Sequence, residues 1–390
     1  MHAEAFSRPQ VQEPGPLAGL VVLDMAQFLA GPAAALQLGD LGARVIKIER
    51  PDGGDLARRM YLSDTDIDSH STLFHAINRN KESIALDLKD ARDLAAAKRL
   101  IEQADVVIQN FRPGVIERLG LGYDVVRQIN PGIIYASVSG YGHGGPWAKL
   151  PGQDLLAQAR SGVMWLTGTA ESGPMPIGLS VADMLAGHVL AKGVLALLVR
   201  RGLTGVGGQV ETSLLEVLVD FQFELLTTHL NDGGRPPQRA AANGANAYLA
   251  APYGVYATLD GHLALAMTPL AQIETLLDLR GLAGDGFADR DALLDRIARR
   301  LAERTTDAWL AILEPAGIWT APVLDWPALL EAESFRALDM LQRIGTKSGS
   351  IQTTASPLRI DGVRPTSPNG APDIGQHNAA IRAAFGLDLD

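Results

Sequence analysis

Short aliphatic runs alternate with helical segments along the first half of the chain. Residues 19–24 fit a buried strand, Gly31-Pro32 begins a helix with proline in its first turn, and Arg44–Glu49 forms the next strand. A strand–helix–strand unit of about thirty residues is the repeat of parallel sheets. The pattern predicts an α/β fold with a Rossmann-like large domain built on a parallel sheet. Further strands are predicted at 83–86, 105–109, 133–138 and 208–212, and further helices at 92–103 and from 214 to about 230.

The most apolar segment runs from residue 181 to about residue 201 and carries Asp183 in its first turn. Asp183, His188 and Lys192 are the only side chains between 181 and 199 that can be charged. Such an apolar helix is expected to be buried, and a buried carboxylate needs a stabilising partner. Ser180 followed by Asp183 is close to a capping box, which would make the carboxylate a helix cap. Alternatively, the helix terminus keeps Asp183 ionised as a nucleophile. The local pattern leaves both interpretations open.

A different pattern begins after the linker at residues 231–237. Asp260-Gly261 marks the turn of a hairpin. Amphipathic helices are predicted at 272–279, 291–303 and 306–314, followed by a strand at 321–324. We therefore expect a large domain from residues 1–235 and 331–390 and a smaller α+β domain from residues 236–330. The segment Asn243-Gly244-Ala245-Asn246-Ala247 before the hairpin is a candidate lid.

Composition and charge narrow the classes of function. The 390 residues include no cysteine and carry a net charge of −10, which excludes thiolate and zinc–sulfur sites and argues against nucleic acid as a partner. The eight histidines show no ligand spacing, so we expect no metal site. Lys192 and Arg200-Arg201 interrupt the longest apolar run, so we expect no membrane span. Residues 1–6 lack the basic and apolar blocks of a signal peptide, which predicts a cytoplasmic protein.

Polar and basic residues accompany the predicted strands, and sheets of this kind bind ligands at the carboxyl ends of their strands. The first strand leads into residues 27–31, a loop and helix start open to an anion or an amide. Arg50 follows the second strand and Arg112 follows the fourth. Arg79 and Lys81 lie in the segment before the third. We predict that these four side chains surround one crevice suited to a multiply phosphorylated ligand with an aromatic base. The alternative is that they only solvate the rim of the sheet.

The loop Gly140-Tyr141-Gly142-His143-Gly144-Gly145 formally matches the dinucleotide-binding fingerprint, which would indicate an NAD-dependent dehydrogenase. The fingerprint belongs after the first strand, however, and this loop follows the fifth. Pro146-Trp147 does not continue as a helix, and no acidic residue ends a following strand. We therefore interpret the loop as a glycine-rich segment that lets backbone approach a ligand. The sequence contains no P-loop and no G-x-S-x-G motif.

Several short segments of the sequence, taken together, are specific enough to indicate a protein family. They are Leu23-Asp24, Ala30-Gly31-Pro32, residues 41–49, Asn78-Arg79-Asn80-Lys81, Asn110-Phe111-Arg112-Pro113-Gly114, Ser139-Gly140-Tyr141-Gly142 and residues 178–187 around Asp183. This set resembles the class III CoA-transferase family (CaiB/BaiF type), which includes formyl-CoA transferase and the alpha-methylacyl-CoA racemases. The resemblance covers nearly the whole chain and is strongest from Gly19 to Glu216.

The resemblance implies a role for Asp183 and a site for coenzyme A. In the family, the matching aspartate attacks a donor acyl-CoA to form a mixed anhydride, CoA thiolate then forms an aspartyl-CoA thioester, and an acceptor carboxylate takes the CoA through a second anhydride. The implied substrates are acyl-CoA and small carboxylic acids, dicarboxylates or hydroxy acids among them. The family also implies an interlocked homodimer. The residues implied to line the CoA channel are Phe28, Leu29, Ala30, Arg50, Lys81, Asn110, Phe111 and Arg118, with Arg118 in place of Arg112.

One position separates the two branches of the family. Racemases carry a histidine before the aspartate that corresponds to Asp154. This chain has Gln153 there, and glutamine cannot exchange a proton at neutral pH. Asp154 matches an acidic position that the transferases share. The resemblance therefore predicts a CoA-transferase with Asp183, Asp154 and Gln153 in its site. The alternatives are a 2-methylacyl-CoA racemase on the same fold and a non-catalytic CoA-binding protein.

Overall fold

The computed structural model describes residues 15–282 and 285–387, so the N-terminal segment from which we predict the cellular location lies outside the described residues. The strands are β1 (Val21–Asp24), β2 (Arg44–Glu49), β3 (Asp66–Ile67), β4 (His70–Ser71), β5 (Lys81–Ala85), β6 (Val106–Gln109), β7 (Ile134–Ser139), β8 (Gly208–Ser213), β9 (Gly254–Ala257), β10 (His262–Leu265), β11 (Thr320–Pro322), β12 (Leu341–Thr346) and β13 (Gly349–Thr354). The helices are α1 (Ala30–Asp40), α2 (Thr72–Asn78), α3 (Ala91–Gln103), α4 (Val115–Arg118), α5 (Tyr123–Ile129), α6 (Asp154–Ser161), α7 (Val181–Thr204), α8 (Leu214–Phe221), α9 (Phe223–Asn231), α10 (Leu270–Leu276), α11 (Arg290–Leu301), α12 (Thr306–Leu313), α13 (Trp326–Glu331), α14 (Glu333–Leu338) and α15 (Asn378–Phe385), with short 3₁₀ helices at Leu56–Arg59 and Val163–Trp165.

Contacts between Cα atoms divide the chain into two compact units. The first comprises Met1–Gln153, Val181–Val217 and Asp339–Asp390, and the second comprises Asp154–Ser180 and Leu218–Leu338. The second unit is longer than the predicted range 236–330, because it also includes residues 154–180, 218–235 and 331–338. The predicted limits of independently folding domains stay a prediction.

The first unit is organised around a six-stranded sheet in the order β5-β2-β1-β6-β7-β8. Every neighbouring pair is parallel. β6 and β7 are buried along their whole length, which explains why they appear in the sequence as continuous apolar runs. The chain first builds outwards from β1 to β2 and β5 and then returns to the other side with β6, and such a switch point opens a crevice at the carboxyl ends of the strands. The predicted α/β class with a parallel sheet is confirmed.

One face of this sheet carries the main apolar core of the first unit. Helices α3, α5 and α15 cover it. Helices α1 and α7 pack on the sheet as well and against each other. The core cluster includes Leu23, Ile46, Ile84, Val107 and Tyr135 from the strands and Leu100, Ile101, Val126, Ile381 and Phe385 from the helices.

The second unit is a smaller antiparallel structure with its own core. Its sheet has the order β11-β10-β9. The predicted hairpin pairs Ala257 with His262, and Thr258 N donates to Gly261 O at 2.9 Å across the turn. Helices α10, α11 and α12 contribute to a core that contains Tyr256, Leu263, Ile297, Leu301 and Trp309, all fully buried.

Helix α7 is long and apolar enough to cross a bilayer by length and composition alone. This corrects the expectation that Lys192 and Arg200-Arg201 leave no apolar run long enough to span a membrane. In the first unit α7 nevertheless packs against α1, β7 and β8. The buried residues of α7 are Ala182, Ala186, Gly187, Leu190, Ala191 and Val194.

Candidate active site

The carboxyl ends of β1, β2, β5 and β6 border a cavity of about 330 Å³ in the first unit. Residues that follow each of these strands line it. Apolar side chains form much of the wall, and Phe111 contributes an aromatic ring. The cavity lies where the strand order predicts a crevice. Its lining includes Met25, Ala26 and Gln27 after β1, Arg50 and Leu56 after β2, Leu86, Leu88 and Lys89 after β5, and Phe111, Val115 and Leu119 after β6.

Two exposed cations, Arg50 and Lys89, line this cavity. Arg50 is a predicted ligand-binding residue, and its Nη2 lies 3.5 Å from Gly54 O. Lys89 is absent from our prediction, although the run Leu86-Asp87-Leu88-Lys89 follows β5 directly. Of the three acidic residues in the lining, Glu49 pairs with Arg58 at 2.6 Å and Asp55 pairs with Lys47 at 2.8 Å, whereas Asp87 is exposed and accepts from Lys89 N at 3.0 Å. The cavity can therefore accept an anionic ligand that also has an apolar or aromatic part.

The loop between β1 and α1 is fixed by side chains from other strands. Asn110 Oδ1 accepts from Gln27 N at 2.9 Å, and Asn110 Nδ2 donates to Gln27 O at 2.7 Å. Phe28 N donates to Asp55 Oδ1 at 3.1 Å. Phe28 adopts a left-handed conformation with φ +64°, which is uncommon for a bulky residue and is maintained by these contacts. The predicted residues Phe28, Leu29, Ala30 and Asn110 thus form one rigid segment, although they are not part of the cavity wall.

The structure corrects the predicted cluster of four basic side chains. Arg79 and Lys81 lie at the amino end of β5, because residues before a strand lie at the opposite edge from residues after it. Both are buried. Arg79 Nη2 donates to Asp40 Oδ2 at 2.8 Å, and Lys81 Nζ donates to Asp24 Oδ2 at 2.8 Å. Their positive charges are neutralised within the protein.

The two remaining arginines are exposed and do not line the cavity either. Arg112 follows β6, and Arg118 ends α4, where its Nη1 lies near Gly114. Of the four arginines predicted to bind the ligand, only Arg50 is part of the cavity wall.

A buried ionic network connects β1, β2 and the segment that follows β2. Lys47 Nζ lies 2.8 Å from Asp55 Oδ2 and 3.5 Å from Asp24 Oδ2, and it donates to Ala26 O at 2.8 Å. All three side chains are at most 1% exposed. Burial alone would raise the pKa of the Asp24 carboxyl, but the adjacent Lys47 and Lys81 ammonium groups lower that pKa below its ordinary value. The network therefore favours the charged form of Asp24, and it holds the β1–α1 loop through the hydrogen bonds of Lys47 to Ala26 O and of Phe28 N to Asp55.

Asp183 lies at the same edge of the sheet as the cavity. Gly193 of α7 packs against Val210, and Arg200 Nη2 donates to Gly207 O before β8. Because α7 therefore runs antiparallel to β8, its first turn lies at the carboxyl edge. One turn later in α7, Gly187 contacts Ala30 O and Ala33 in the first turn of α1. Residues four apart share a helix face, so the half-buried Asp183 begins the stripe of α7 that faces the start of α1.

Gln153 and Asp154 stand at the boundary between the two units. Gln153 is exposed, whereas Asp154 begins α6 and is 9% exposed. Gln158 Nε2 donates to Asp154 Oδ2 at 2.6 Å, and Gln158 Oε1 accepts from Ile177 N at 2.9 Å. The buried Gln158 thus joins the carboxylate to the segment that leads along the chain into α7. Sequence reasoning missed Gln158, because a polar residue one helical turn after Asp154 gives no signal of its long-range partner.

Within residues 15–282 and 285–387, no group of three His, Asp or Glu side chains is placed to hold a metal ion. The chemistry available at this edge comes from carboxylates, cations and backbone N–H groups. The first turn of α1 offers such donors, because the first N–H groups of a helix have no intrahelical acceptor and Leu29 provides no side-chain cap.

Comparison with known proteins identifies related sequences along the whole chain. The model of CoA-transferase family III matches residues 17–378. An acetyl-CoA:oxalate CoA-transferase of Acetobacter aceti is 33% identical over 386 residues, which cover 95% of this chain and 96% of that protein. A succinyl-CoA:mesaconate CoA-transferase of Haloarcula hispanica is 32% identical over 390 residues, covering 96% of this chain and 97% of that protein. The succinyl-CoA:glutarate CoA-transferase of Mus musculus is 31% identical over 378 residues, covering 94% and 85%.

Solved structures give the same result. The crystal structure of a CaiB/BaiF family protein from Brucella suis superimposes with a TM-score of 0.83 at 30% identity, covering 96% of this chain and all of that one. The crystal structure of Rv3272 from Mycobacterium tuberculosis has a TM-score of 0.81 at 31% identity, covering 94% and 99%.

Proposed function

The chain belongs to CoA-transferase family III and is an enzyme of this kind, and we propose that Asp183 carries the acyl group and then the CoA during transfer. The observation that supports this role most strongly is the position of Asp183. Asp183 is half-buried in the first turn of an apolar helix, on the stripe of α7 whose Gly187 packs against the start of α1, and it lies at the same sheet edge as the cationic cavity. The dipole at a helix N-terminus favours a negatively charged side chain, so a half-buried carboxylate at this position is suited to act as a nucleophile.

The proposed reaction proceeds through four exchanges in which no water is consumed. A carboxylate oxygen of Asp183 attacks the thioester carbon of the donor, the C–S bond breaks, and CoA leaves as a thiolate. The thiolate then attacks the aspartyl carbonyl of the mixed anhydride and releases the donor acid. The acceptor carboxylate attacks the resulting aspartyl-CoA thioester and again releases the thiolate. The thiolate finally attacks the acceptor carbonyl, which yields the new acyl-CoA and restores the Asp183 carboxylate.

Each exchange passes through a tetrahedral oxyanion. The backbone N–H groups of Leu29, Ala30 and Gly31 at the start of α1 are suited to stabilise it, because the first N–H groups of a helix have no intrahelical acceptor and the β1–α1 loop orients them before the reaction begins. We further propose that Asp154 and Gln153 belong to the site, as the family resemblance implies. Gln153 supplies no exchangeable proton, which favours transfer over racemisation.

We propose that the cavity holds CoA, with Arg50 and Lys89 near its phosphates and Phe111 beside its adenine. Asn110 and the segment Phe28–Ala30 would guide the rest of the molecule towards Asp183. Arg112 and Arg118, both exposed, remain candidates for contacts outside the cavity.

Arg50→Gln is expected to weaken CoA binding about tenfold or more, because it removes a cation from the cavity wall. Arg79→Gln should leave CoA affinity within about twofold and instead lower the free energy of unfolding, because Arg79 is buried against Asp40. Isothermal titration with CoA and urea unfolding of both variants separate the two effects. A larger loss of CoA affinity for Arg79→Gln than for Arg50→Gln would contradict this placement of the site.

We propose that the acceptor is a small dicarboxylate. Relatives that match the whole chain are named for oxalate, glutarate and mesaconate. Because these relatives are named for different acids at similar sequence identity, we propose a class of acid for this protein and not one particular acid.

We also propose that the protein is a homodimer, interlocked as in the family. Helix α9 has no buried residue, and two of its large apolar side chains, Phe223 and Leu230, are 68% and 71% exposed. Apolar side chains at this density on one helix need a partner surface. Light scattering is expected to give twice the mass of one chain. Phe223→Glu/Leu230→Glu should shift the mass towards that of a monomer, whereas Val125→Glu, at an isolated exposed position on α5, should not. A monomeric wild-type protein would refute the dimer.

A further inference from the structure

The buried side chain of Arg58 contacts three other parts of the first unit. Its Nε donates to Glu49 Oε2 at 2.8 Å, and its Nη2 donates to Glu49 Oε1 at 2.6 Å and to Pro372 O at 2.9 Å. Its Nη1 donates to His70 Nε2 at 2.9 Å, and the guanidinium lies 3.9 Å from the centre of the Phe74 ring. One side chain therefore connects β2, the loop at His70 and the C-terminal segment around Pro372.

Glu49 extends this arrangement to the candidate active site. Both Glu49 and Asp55 line the cavity. Glu49 Oε2 accepts from Asp55 N at 3.0 Å, and Asp55 Oδ1 accepts from Phe28 N at 3.1 Å. The position of Arg58 thus contributes to the position of the cavity wall and of the β1–α1 loop, although Arg58 itself does not line the cavity.

His70 can hold Arg58 only in its neutral form. Arginine has no acceptor, so the contact requires an unprotonated Nε2 and places the proton of the neutral ring on Nδ1. Asp373 Oδ1 lies 3.4 Å from the same Nε2, and Asp373 Oδ2 pairs with Lys347 Nζ. Uptake of a proton converts Nε2 into a donor, which can bond to Asp373 but can no longer accept from Arg58. The charge of His70 therefore decides between two partners.

The surroundings of His70 favour the neutral ring at neutral pH. Burial and the neighbouring Arg58 cation lower the pKa of His70 below its ordinary value, and the Asp373 carboxylate offsets this only in part. The contact with Arg58 is therefore complete at neutral pH and is lost as the pH falls through the pKa of His70. The charged or titratable groups around the ring, in contact with it or with its partners, are Arg58, Glu49, His75, Asp373, Lys347 and Asp68.

We propose that Arg58 and His70 are positioning residues for the transfer site. The neutral ring of His70 holds Arg58 against Glu49, and protonation of the ring loosens the cavity wall and the β1–α1 loop. Neither side chain lines the cavity, so both act through Glu49 and Asp55. The effect on transfer rests on the proposed binding of CoA in this cavity.

The test compares kcat/KM for an acyl-CoA donor in wild type and in His70→Gln from about pH 8 to about pH 5. Glutamine offers an acceptor near the position of Nε2 and takes up no proton. At the acidic end, kcat/KM of wild type is expected to fall about tenfold relative to His70→Gln at the same pH. The titration of CoA and of the acids cancels in this ratio. His70→Leu removes the acceptor and should be about tenfold below wild type already at about pH 8.

His75→Gln is the matched control. The His75 ring lies 5.9 Å from the His70 ring, but its Nε2 lies 2.9 Å from Ile67 O and does not contact Arg58. His75→Gln should follow the pH profile of wild type within about twofold. If His75→Gln instead removed the acidic fall and His70→Gln kept it, the assignment to His70 would be wrong.

Amide hydrogen exchange measures the same change in the absence of CoA. At about pH 5, peptides that contain Phe28 or Asp55 are expected to exchange about tenfold faster in wild type than in His70→Gln. Equal exchange in the two proteins would overturn the inference, whatever the kinetics. Faster exchange in wild type with equal kcat/KM would support the release of the loop and contradict the proposed CoA site.

Discussion

Replacing Asp183 with asparagine is expected to reduce CoA transfer by at least about 10³-fold, as loss of a covalent nucleophile does in other enzymes. Asparagine has nearly the same shape, but its amide cannot attack a thioester to form an anhydride. The substitution also separates the two interpretations of this residue. Asparagine caps a helix about as well as aspartate, so a residue that only caps α7 would tolerate the change without loss of activity. The measurement is the steady-state rate with an acyl-CoA donor and a dicarboxylate acceptor.

A matched control is available on another helix of the same unit. Asp124 lies in the first turn of α5, as Asp183 does in α7, but it pairs with Arg127 at 3.5 Å and does not line the cavity. Asp124→Asn should keep transfer within about twofold of wild type. CoA affinity measured for both variants shows whether the site still forms. Retained transfer in Asp183→Asn, with normal CoA binding, would contradict the nucleophilic role.

Lys47→Met is expected to lower the free energy of unfolding by about 3–5 kcal/mol. Lys47 is fully buried and lies 2.8 Å from Asp55 and 3.5 Å from Asp24. Methionine fills a similar volume but leaves the Asp55 carboxylate buried without its cation, whereas Asp24 keeps Lys81 at 2.8 Å. Urea denaturation provides the measurement.

Two further variants define the cause of that loss. Lys47→Met/Asp55→Asn removes the stranded charge and should recover part of the stability. Arg44→Met, on the same strand as Lys47, breaks an ion pair with Glu82 of β5. The two side chains are 38% and 29% exposed, so the change should cost at most about 1 kcal/mol. If Lys47→Met were no more destabilising than Arg44→Met, the buried network would not hold this edge of the sheet.

The sequence was sufficient to predict most elements of the first unit, because each depends on a local period. β2 has the predicted limits, and α7 begins at the predicted residue. The predicted helix at 214–230 is instead two helices, α8 and α9. The side chain of Gln222 between them donates to Ser161 O at 3.2 Å and Leu218 O at 2.7 Å. The hydrogen bond to Ser161 joins residues that are far apart in the sequence, and a local hydrophobic pattern does not indicate such a contact. The break between the two helices could therefore not be predicted.

The residues around the cavity also differ in how far the sequence could predict them. Arg50 and Phe111 follow strands directly, so topology alone places them at the carboxyl edge. Arg79 and Lys81 were misplaced because residues before β5 were treated like residues after it, and Lys89 was missed for the same reason. The network of Lys47, Asp24 and Asp55 depends on which strands become neighbours. Hydrophobic periodicity does not encode that order.

The central claim is that Asp183 becomes covalently modified during turnover, and trapping the intermediate tests it most directly. The protein is incubated with an acyl-CoA donor, reduced with borohydride and digested, and the peptides are analysed by mass spectrometry with Asp183→Ala as the control. Our account predicts reduction of Asp183 to the corresponding alcohol in wild type and in no other aspartate. Donor turnover without any modification of Asp183, or exchange of the α-proton of the acyl group without CoA transfer, would contradict it.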